Sequence, residues 1–275
     1  MIQQQIQETV QYLHSNGIQA PKVAIVLGTG LSELVQHTQV LHSIDYTSIP
    51  HFVTSTVEFH QGKLIYGTIQ GVPVLIMQGR FHYYEGYSMH EITYPIRVLK
   101  ALGTQYLILS NAAGGMHNAY TKGALVLIND HINMLPENPL RGTAVAALGN
   151  RFVDMCTPYS TYVNDIILAQ ASTLNMVMHQ GTYVAVQGPN LETKAEYRYL
   201  KAAGADMVGM STVPEVIVAN HIGLPCAAIS VITDECNPNN LQPVVIAEII
   251  ATAHAADKQL APLLSKVIYT LGTVN

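Results

Sequence analysis

Apolar and polar positions along the chain alternate between two periods. Ile2, Ile6, Val10 and Leu13 recur at helical spacing before Gly17, which predicts an amphipathic helix over residues 2–16. Lys22-Val23-Ala24-Ile25-Val26-Leu27 is a short unbroken apolar run and reads as a buried strand. Two further strands are predicted over 63–69 and 72–78, joined by a Gln70-Gly71 hairpin turn. Ile92, Ile96, Leu99 and Leu102 give a helix over 89–102, stopped by Gly103. Strands are then expected at 106–109, 123–128, 182–187, 207–209 and 226–233. Helices are expected at 161–176, from Gly188 to Ala203, after Thr212 as N-cap, and from Pro243 to Leu271. Residues 50–62 and 136–160 read as loops, and connections as long as the second tend to be functional or to contact a neighbour. Strands alternating with helices, with no repeat and no boundary, predict one α/β domain over residues 1–275.

Composition narrows the classes. The apolar fraction is 49 % and the charged fraction 11 %, so the chain can bury a sizeable core, and part of its weakly charged surface suits a partner subunit. Net charge is −5 without a Lys/Arg cluster, which argues against a nucleic-acid groove. No run reaches the length of a membrane span, and the first residues lack the basic and apolar regions of a signal peptide. Cys156, Cys226 and Cys236 are scattered and odd in number, as expected of reduced thiols in a cytoplasmic protein. Metal-ligand spacing is absent.

The chemistry concentrates after the strands. Gln78-Gly79-Arg80-Phe81-His82-Tyr83-Tyr84-Glu85-Gly86-Tyr87 follows an apolar run and joins a guanidinium, an imidazole, phenols and a carboxylate. Polar loops at strand ends are where open α/β sheets bind ligands, and an Arg fork suits phosphate or carboxylate. The decamer therefore reads as a pocket for a small anion and something flat; Arg80 or His82 alone would read as a solvated or capping residue. Gly28-Thr29-Gly30-Leu31-Ser32 is half of a dinucleotide fingerprint, but Glu33 stands where its third glycine belongs. A nicotinamide cofactor is thus disfavoured, while backbone N–H groups and the Thr29 hydroxyl suit a phosphate. Asn111-Ala112-Ala113-Gly114-Gly115 offers small residues for close approach to a ligand.

Together, Gly79-Arg80-Phe81-His82-x-Tyr84-Glu85-Gly86-Tyr87, Asn111 to Gly115, Asp130-His131-Ile132-Asn133 and Val208-Gly209-Met210-Ser211-Thr212-Val213-Pro214-Glu215 resemble the trimeric purine nucleoside phosphorylase family, from about Pro21 to Thr233. The resemblance implies a central mixed β-sheet flanked by helices. It implies reversible phosphorolysis of purine (2′-deoxy)ribonucleosides to free base and (2-deoxy)ribose 1-phosphate, without a cofactor beyond inorganic phosphate as co-substrate. Carried over position by position, phosphate would be held by Thr29, His60, Arg80, His82, the backbone at Ala112, and Ser211. Tyr84 and Met210 would meet the ribose, Tyr183 and Leu191 would line the pocket, and Glu192 would accept from the purine N1–H side. Phe152 would reach a neighbouring subunit's site in a homotrimer. His82, Glu192 and Asp234 are the expected catalytic groups. Two positions depart from the pattern. Asp234 stands where members selective for 6-oxopurines carry Asn. An apolar stretch, Val245-Ile246, falls near the family's histidine for the ribose 5′-hydroxyl. The resemblance implies inosine or guanosine as substrate, with 6-aminopurine nucleosides or 5′-methylthioadenosine as the alternative. A purine-binding protein without catalysis is the rival class, and the full set Arg80, His82 and Ser211 argues against it.

Overall fold

The structure, a computed structural model, describes residues 2–57, 60–142 and 147–273. Glu58 and Phe59 of the predicted 50–62 loop, and residues 143–146 of the predicted 136–160 loop, lie outside them. The chain runs α1 (Ile2–Ser15), β1 (Val23–Leu27), β2 (Gln39–Asp45), β3 (Lys63–Ile69), β4 (Val72–Gln78), α2 (Met89–Ala101), β5 (Tyr106–Gly115), β6 (Leu125–Asn133), α3 (Thr161–Thr173), β7 (Met178–Ala185), α4 (Lys194–Ala202), β8 (Met207–Gly209), α5 (Val213–His221), β9 (Cys226–Glu235) and α6 (Ile246–Thr273).

The strands form one mixed sheet in the order β2-β3-β4-β1-β5-β8-β7-β6-β9, and β9 turns back to pair with β5. Five strands therefore close a ring, while β1 to β4 extend from it as a wing. The central strands are buried on both faces, as their unbroken apolar runs require. Side chains alternate between two cores with the period of a strand. Ala24, Val26, Leu75, Met77, Leu107 and Leu109 face α1, α2 and α5. Val23, Ile25, Leu27, Val74, Ile76 and Ile108 face α3 and α6.

Several boundaries differ from expectation. β5 continues through Asn111 to Gly115, because β9 pairs with it over that whole length despite the weak strand propensity of Ala and Gly. β9 likewise runs on through Asp234 and Glu235. β2 has no sequence signal: it is an edge strand, largely exposed on both faces, so its residues show no apolar alternation. α4 starts at Lys194 behind the Thr193 cap and α6 starts at Ile246, both later than the pattern suggested. β7 begins at Met178, four residues early, through polar residues.

One feature of the topology opens the site. β1 pairs with β5 only as far as Val26 and Leu109, and β8 joins the same edge at Gly114. Residues 110–113 are left without a strand partner on that edge. The chain leaves β1 at Gly28, where a β-carbon would lie 2.8 Å from Asn111 Cα, so only glycine allows this exit.

Candidate active site

A cavity of about 320 Å³ fills the gap in the sheet. Thr29, Arg80, His82, Tyr84, Ala112, Leu191, Glu192, Met210, Ser211, Asp234 and Ile246 all line it. Eleven of the expected site residues, spread over most of the chain, thus meet in one place.

Arg80 follows β4 and is 1 % exposed. Its Nε lies 3.3 Å from Glu215 of α5, and Nη1 donates to the Ser110 carbonyl at 2.5 Å. Nη2 is buried without a hydrogen-bond partner. A buried guanidinium donor left unpaired costs free energy unless a ligand accepts from it. Glu215 also accepts from the Thr212 amide at 3.0 Å, which fixes the turn carrying Ser211. Thr212 sits at φ 71°, a strained conformation for a β-branched residue. Asn111 holds it there through Nδ2 to Thr212 Oγ1 at 2.8 Å, and Ser230 holds Asn111 in turn. Strain over-determined in this way is common at ligand sites.

Three flat rings stack along the wall. His60 lies 5.3 Å from His82, and His82 lies 4.6 Å from Tyr84, with interplanar angles of 25° and 14°. His82 Nδ1 and Glu85 Oε1 are 2.8 Å apart. Burial pushes the His82 imidazole below its ordinary value, although Glu85 opposes the shift. Burial would raise the Glu85 carboxyl, but hydrogen bonds from His82 and Thr56 outweigh it and hold the group at about 2. The neutral His82 ring then donates Nδ1–H to Glu85 and keeps Nε2 as an acceptor.

His60 stands one layer back. Its Nε2 is 3.1 Å from Thr29 Oγ1 and its Nδ1 is 3.0 Å from the Arg80 carbonyl, so it ties the Thr29 turn to the Arg80 loop. Burial, then the charges of His82 and Arg80, lower its pKa to about 3. An unfolded chain protonates this ring near pH 6.5, so its contribution to stability is complete above that pH and is lost as pH falls toward 3. Melting temperature is expected to drop between pH 7.5 and 5, and to drop less in His60→Gln; equal slopes in the two proteins would remove His60 from the acid response.

Two expected residues lie elsewhere. Tyr183 is completely buried and lies beneath the cavity instead of lining it; its hydroxyl accepts from the Ser211 amide at 3.3 Å. Phe152 is 89 % exposed and is not part of this chain's own cavity. The Gly28–Ser32 turn is also less open than its sequence suggested. The Ser32 and Glu33 amides donate to Asp257 of α6 at 2.5 and 2.6 Å, so those groups are spent within the protein. A carboxylate on the apolar stripe of α6 was the legible sign of such a role.

Two carboxylates also line the cavity. Burial pushes the Glu192 carboxyl above its ordinary value; a hydrogen bond from Tyr197 counters this, and Asp234 adds to it. Asp234 accepts from Thr233 Oγ1 at 2.9 Å and from Cys236 Sγ at 3.1 Å. Tyr197, Val57, Ile249 and Ile250 complete the walls. Nothing in the sequence marked these four, because an aromatic or aliphatic side chain on an amphipathic helix or loop reads as core.

The cavity thus joins an anion-seeking donor, two carboxylates and flat rings. The Phosphorylase superfamily profile matches residues 22–269. Purine nucleoside phosphorylase 1 of Bacillus subtilis strain 168 is 46 % identical over 83 % of this chain and 84 % of its own. The chain belongs to the purine nucleoside phosphorylase family. The Bos taurus purine nucleoside phosphorylase is 44 % identical over 83 % of this chain and 81 % of its own. Among solved structures, the Schistosoma mansoni purine nucleoside phosphorylase in complex with adenosine superposes with a TM-score of 0.91 at 34 % identity, covering 96 % of both chains. A Schistosoma purine nucleoside phosphorylase bound to hypoxanthine gives 0.90 at the same identity and coverage. Family membership makes the chain an α/β nucleoside phosphorylase. No helix among the described residues is long and apolar enough to cross a membrane.

Proposed function

We propose that the chain catalyses reversible phosphorolysis of purine (2′-deoxy)ribonucleosides, with phosphate at Arg80 and the base between Glu192 and Asp234. The observation that carries this reading is the unpaired, buried Arg80 Nη2 in a cavity that two carboxylates also line. A purine binder needs no such donor.

The chemistry follows from the residue types. Cleaving the ribosyl–purine bond leaves positive charge on the sugar and negative charge on the base. Phosphate held against Arg80, Ser211, Thr29 and the Ala112 amide stabilises the sugar cation and attacks it from close range. The His82 Nε2 accepts a hydrogen bond from the P–OH of monohydrogen phosphate and so orients the dianion for attack. Tyr84 and Met210 present flat and soft surfaces to the ribose. Leu191 covers the base.

Glu192 selects for a 6-oxopurine when ionised, because it accepts from N1–H. A protonated Asp234 would donate to N7, where the leaving base gathers charge. A second reading is favoured by Asp234 itself: both its oxygens already accept from Thr233 and Cys236. A carboxylate so held presents acceptors only, and it suits a 6-amino group. The upward push on Glu192 then helps it donate to the unprotonated N1 of adenine. Ile246, with Ile249 and Ile250, gives the wall an apolar stretch that accommodates 5′-deoxy or 5′-alkylthio sugars.

The test is release of free base from inosine, guanosine, adenosine and 5′-methylthioadenosine, each with and without phosphate. Phosphate-dependent release from any of them supports the reading, and the substrate profile ranks the bases. Absence of release from all four, with purine binding intact, would leave a binding protein.

The exposed Phe152 ring supports a homotrimer in which it enters the neighbour's cavity, since full exposure of such a ring to water is unfavourable. Phe152→Ala is expected to raise the nucleoside KM about tenfold and spare the phosphate KM, as loss of a buried aromatic contact of roughly 1.5–3 kcal/mol would do. A wild-type sedimentation mass of one chain at micromolar concentration would contradict this.

A further inference from the structure

The cavity contains a polar cluster around Asp234 in which the thiol of Cys236 has a part of its own. Cys236 is 1 % exposed, and its Sγ lies 3.1 Å from Asp234 Oδ2. Tyr197, 2 % exposed, sits close enough to both Cys236 and Glu192 to shift with them. Thr233 and Cys236 are thus joined through Asp234, with Tyr197 and Glu192 beside them.

The thiol has little freedom. Cys236 N–H donates to the Gly115 carbonyl at 2.7 Å, which clamps its backbone to β5. Gly114 pairs with Asp234 in the β5–β9 ladder. A β-carbon at Gly114 would lie 2.5 Å from Cys236 Sγ and 3.3 Å from Asp234 Oδ2, so the missing side chain is what leaves room for the sulfur. Sulfur is a poor acceptor, and a thiol beside a carboxylate oxygen donates to it. The thiol itself stays protonated: burial, then the Asp234 charge, push it well up.

We propose that Cys236 is a specificity-determining positioning residue, which holds Asp234 as a hydrogen-bond acceptor toward the base and so favours 6-amino over 6-oxo purines. The proposal rests on the reading of Asp234 as a base contact. Thr233 alone does not impose this state, because its hydroxyl has a second acceptor in the Ala113 carbonyl at 3.4 Å and can turn to accept from a protonated Asp234. The thiol has no comparable second role toward a protonated carboxyl. Removing it takes away the donor that marks Oδ2 as an acceptor, and the preference for a 6-amino group weakens with it.

The test measures the dissociation constants of adenine and hypoxanthine by calorimetry, and the phosphate KM, in Cys236→Ala, Cys236→Ser and Asp234→Asn. Cys236→Ala is expected to shift the adenine-to-hypoxanthine affinity ratio about tenfold toward hypoxanthine and leave the phosphate KM within twofold. Cys236→Ser, which restores a donor, is expected to return most of the ratio. Cys236→Val, without a donor but closer to the thiol in volume, carries the same expectation as Ala and decides the matter if Ala does not fold. In an Asp234→Asn background, Cys236→Ala should change the ratio no further. A ratio unmoved by Asp234→Asn removes Asp234 from base contact, and the proposal falls with that reading. A ratio moved by Asp234→Asn but not by the donor-lacking Cys236 variants overturns the role of Cys236 alone. A serine variant that behaves like alanine also overturns it.

Discussion

Arg80→Ala is expected to lower phosphate-dependent turnover by about 10²-fold or more, the usual scale for removing a preorganised charge stabiliser. Purine affinity should stay within a few-fold, because the proposed base contacts are Glu192 and Asp234 and not Arg80. The substitution also removes the partner of Glu215, whose Oε2 lies 3.3 Å from Nε in a nearly dry setting. Stranding one member of a buried ion pair costs about 3–5 kcal/mol, so the melting temperature should fall as well. Two companion proteins separate the effects. Arg80→Ala with Glu215→Gln removes both charges, keeps an acceptor for the Thr212 amide, and should recover stability without recovering turnover. Arg80→Lys keeps the charge but loses the planar fork, and should fall between the two extremes. Turnover restored by the double substitution would show that Arg80 acts only through the fold.

The second large effect is expected at Glu192. Glu192→Gln replaces an ionised acceptor by a neutral amide, and hydrogen bonds to charged groups contribute about 1.5–3 kcal/mol. The kcat/KM for inosine should fall by roughly one to two orders of magnitude with the phosphate KM unchanged. The pH profile gives an independent sign. Glu192 must be ionised to accept from N1–H, and burial pushes its carboxyl up. Inosine cleavage should therefore decline as pH falls through a value above the ordinary carboxylate range, and that acid limb should vanish in Glu192→Gln. Adenosine, whose N1 needs a donor, should lose less on the acid side. A variant that keeps the wild-type limb would assign it to another group, such as the phosphate itself.

The strands of the central sheet were legible because they are buried on both faces, so each appears as an apolar run bounded by turn residues. The 63–69 and 72–78 hairpin is found where the pattern put it. β2 was not legible, since an edge strand exposed on both faces leaves no alternation to read. The polar clusters after strands gave away Arg80, His82, Asn111 and Ser211, because a chain with few charges seldom places so many donors together without use. Glu215 was hidden in plain view: a Pro followed by Glu in a first helical turn reads as a cap, and the cap hydrogen bond is there. Its second role, holding Arg80, depends on the start of α5 lying against the loop that follows β4.

The order of elements, the two-sided burial of the central strands and the chemical types of the site residues were set by local sequence, because burial period and side-chain chemistry are properties of single stretches. Tertiary structure decided the rest. It decided that β1 stops at Leu27 while β5 runs on, which opens the gap where the cavity lies. It spent the Ser32 and Glu33 amides on Asp257, more than 200 residues away along the chain. It brought Tyr197 and Cys236 beside Glu192 and Asp234. Such contacts join residues far apart in sequence, and no local periodicity encodes a distance between two elements. Only the closing of β9 onto β5 sets these groups within reach of one another.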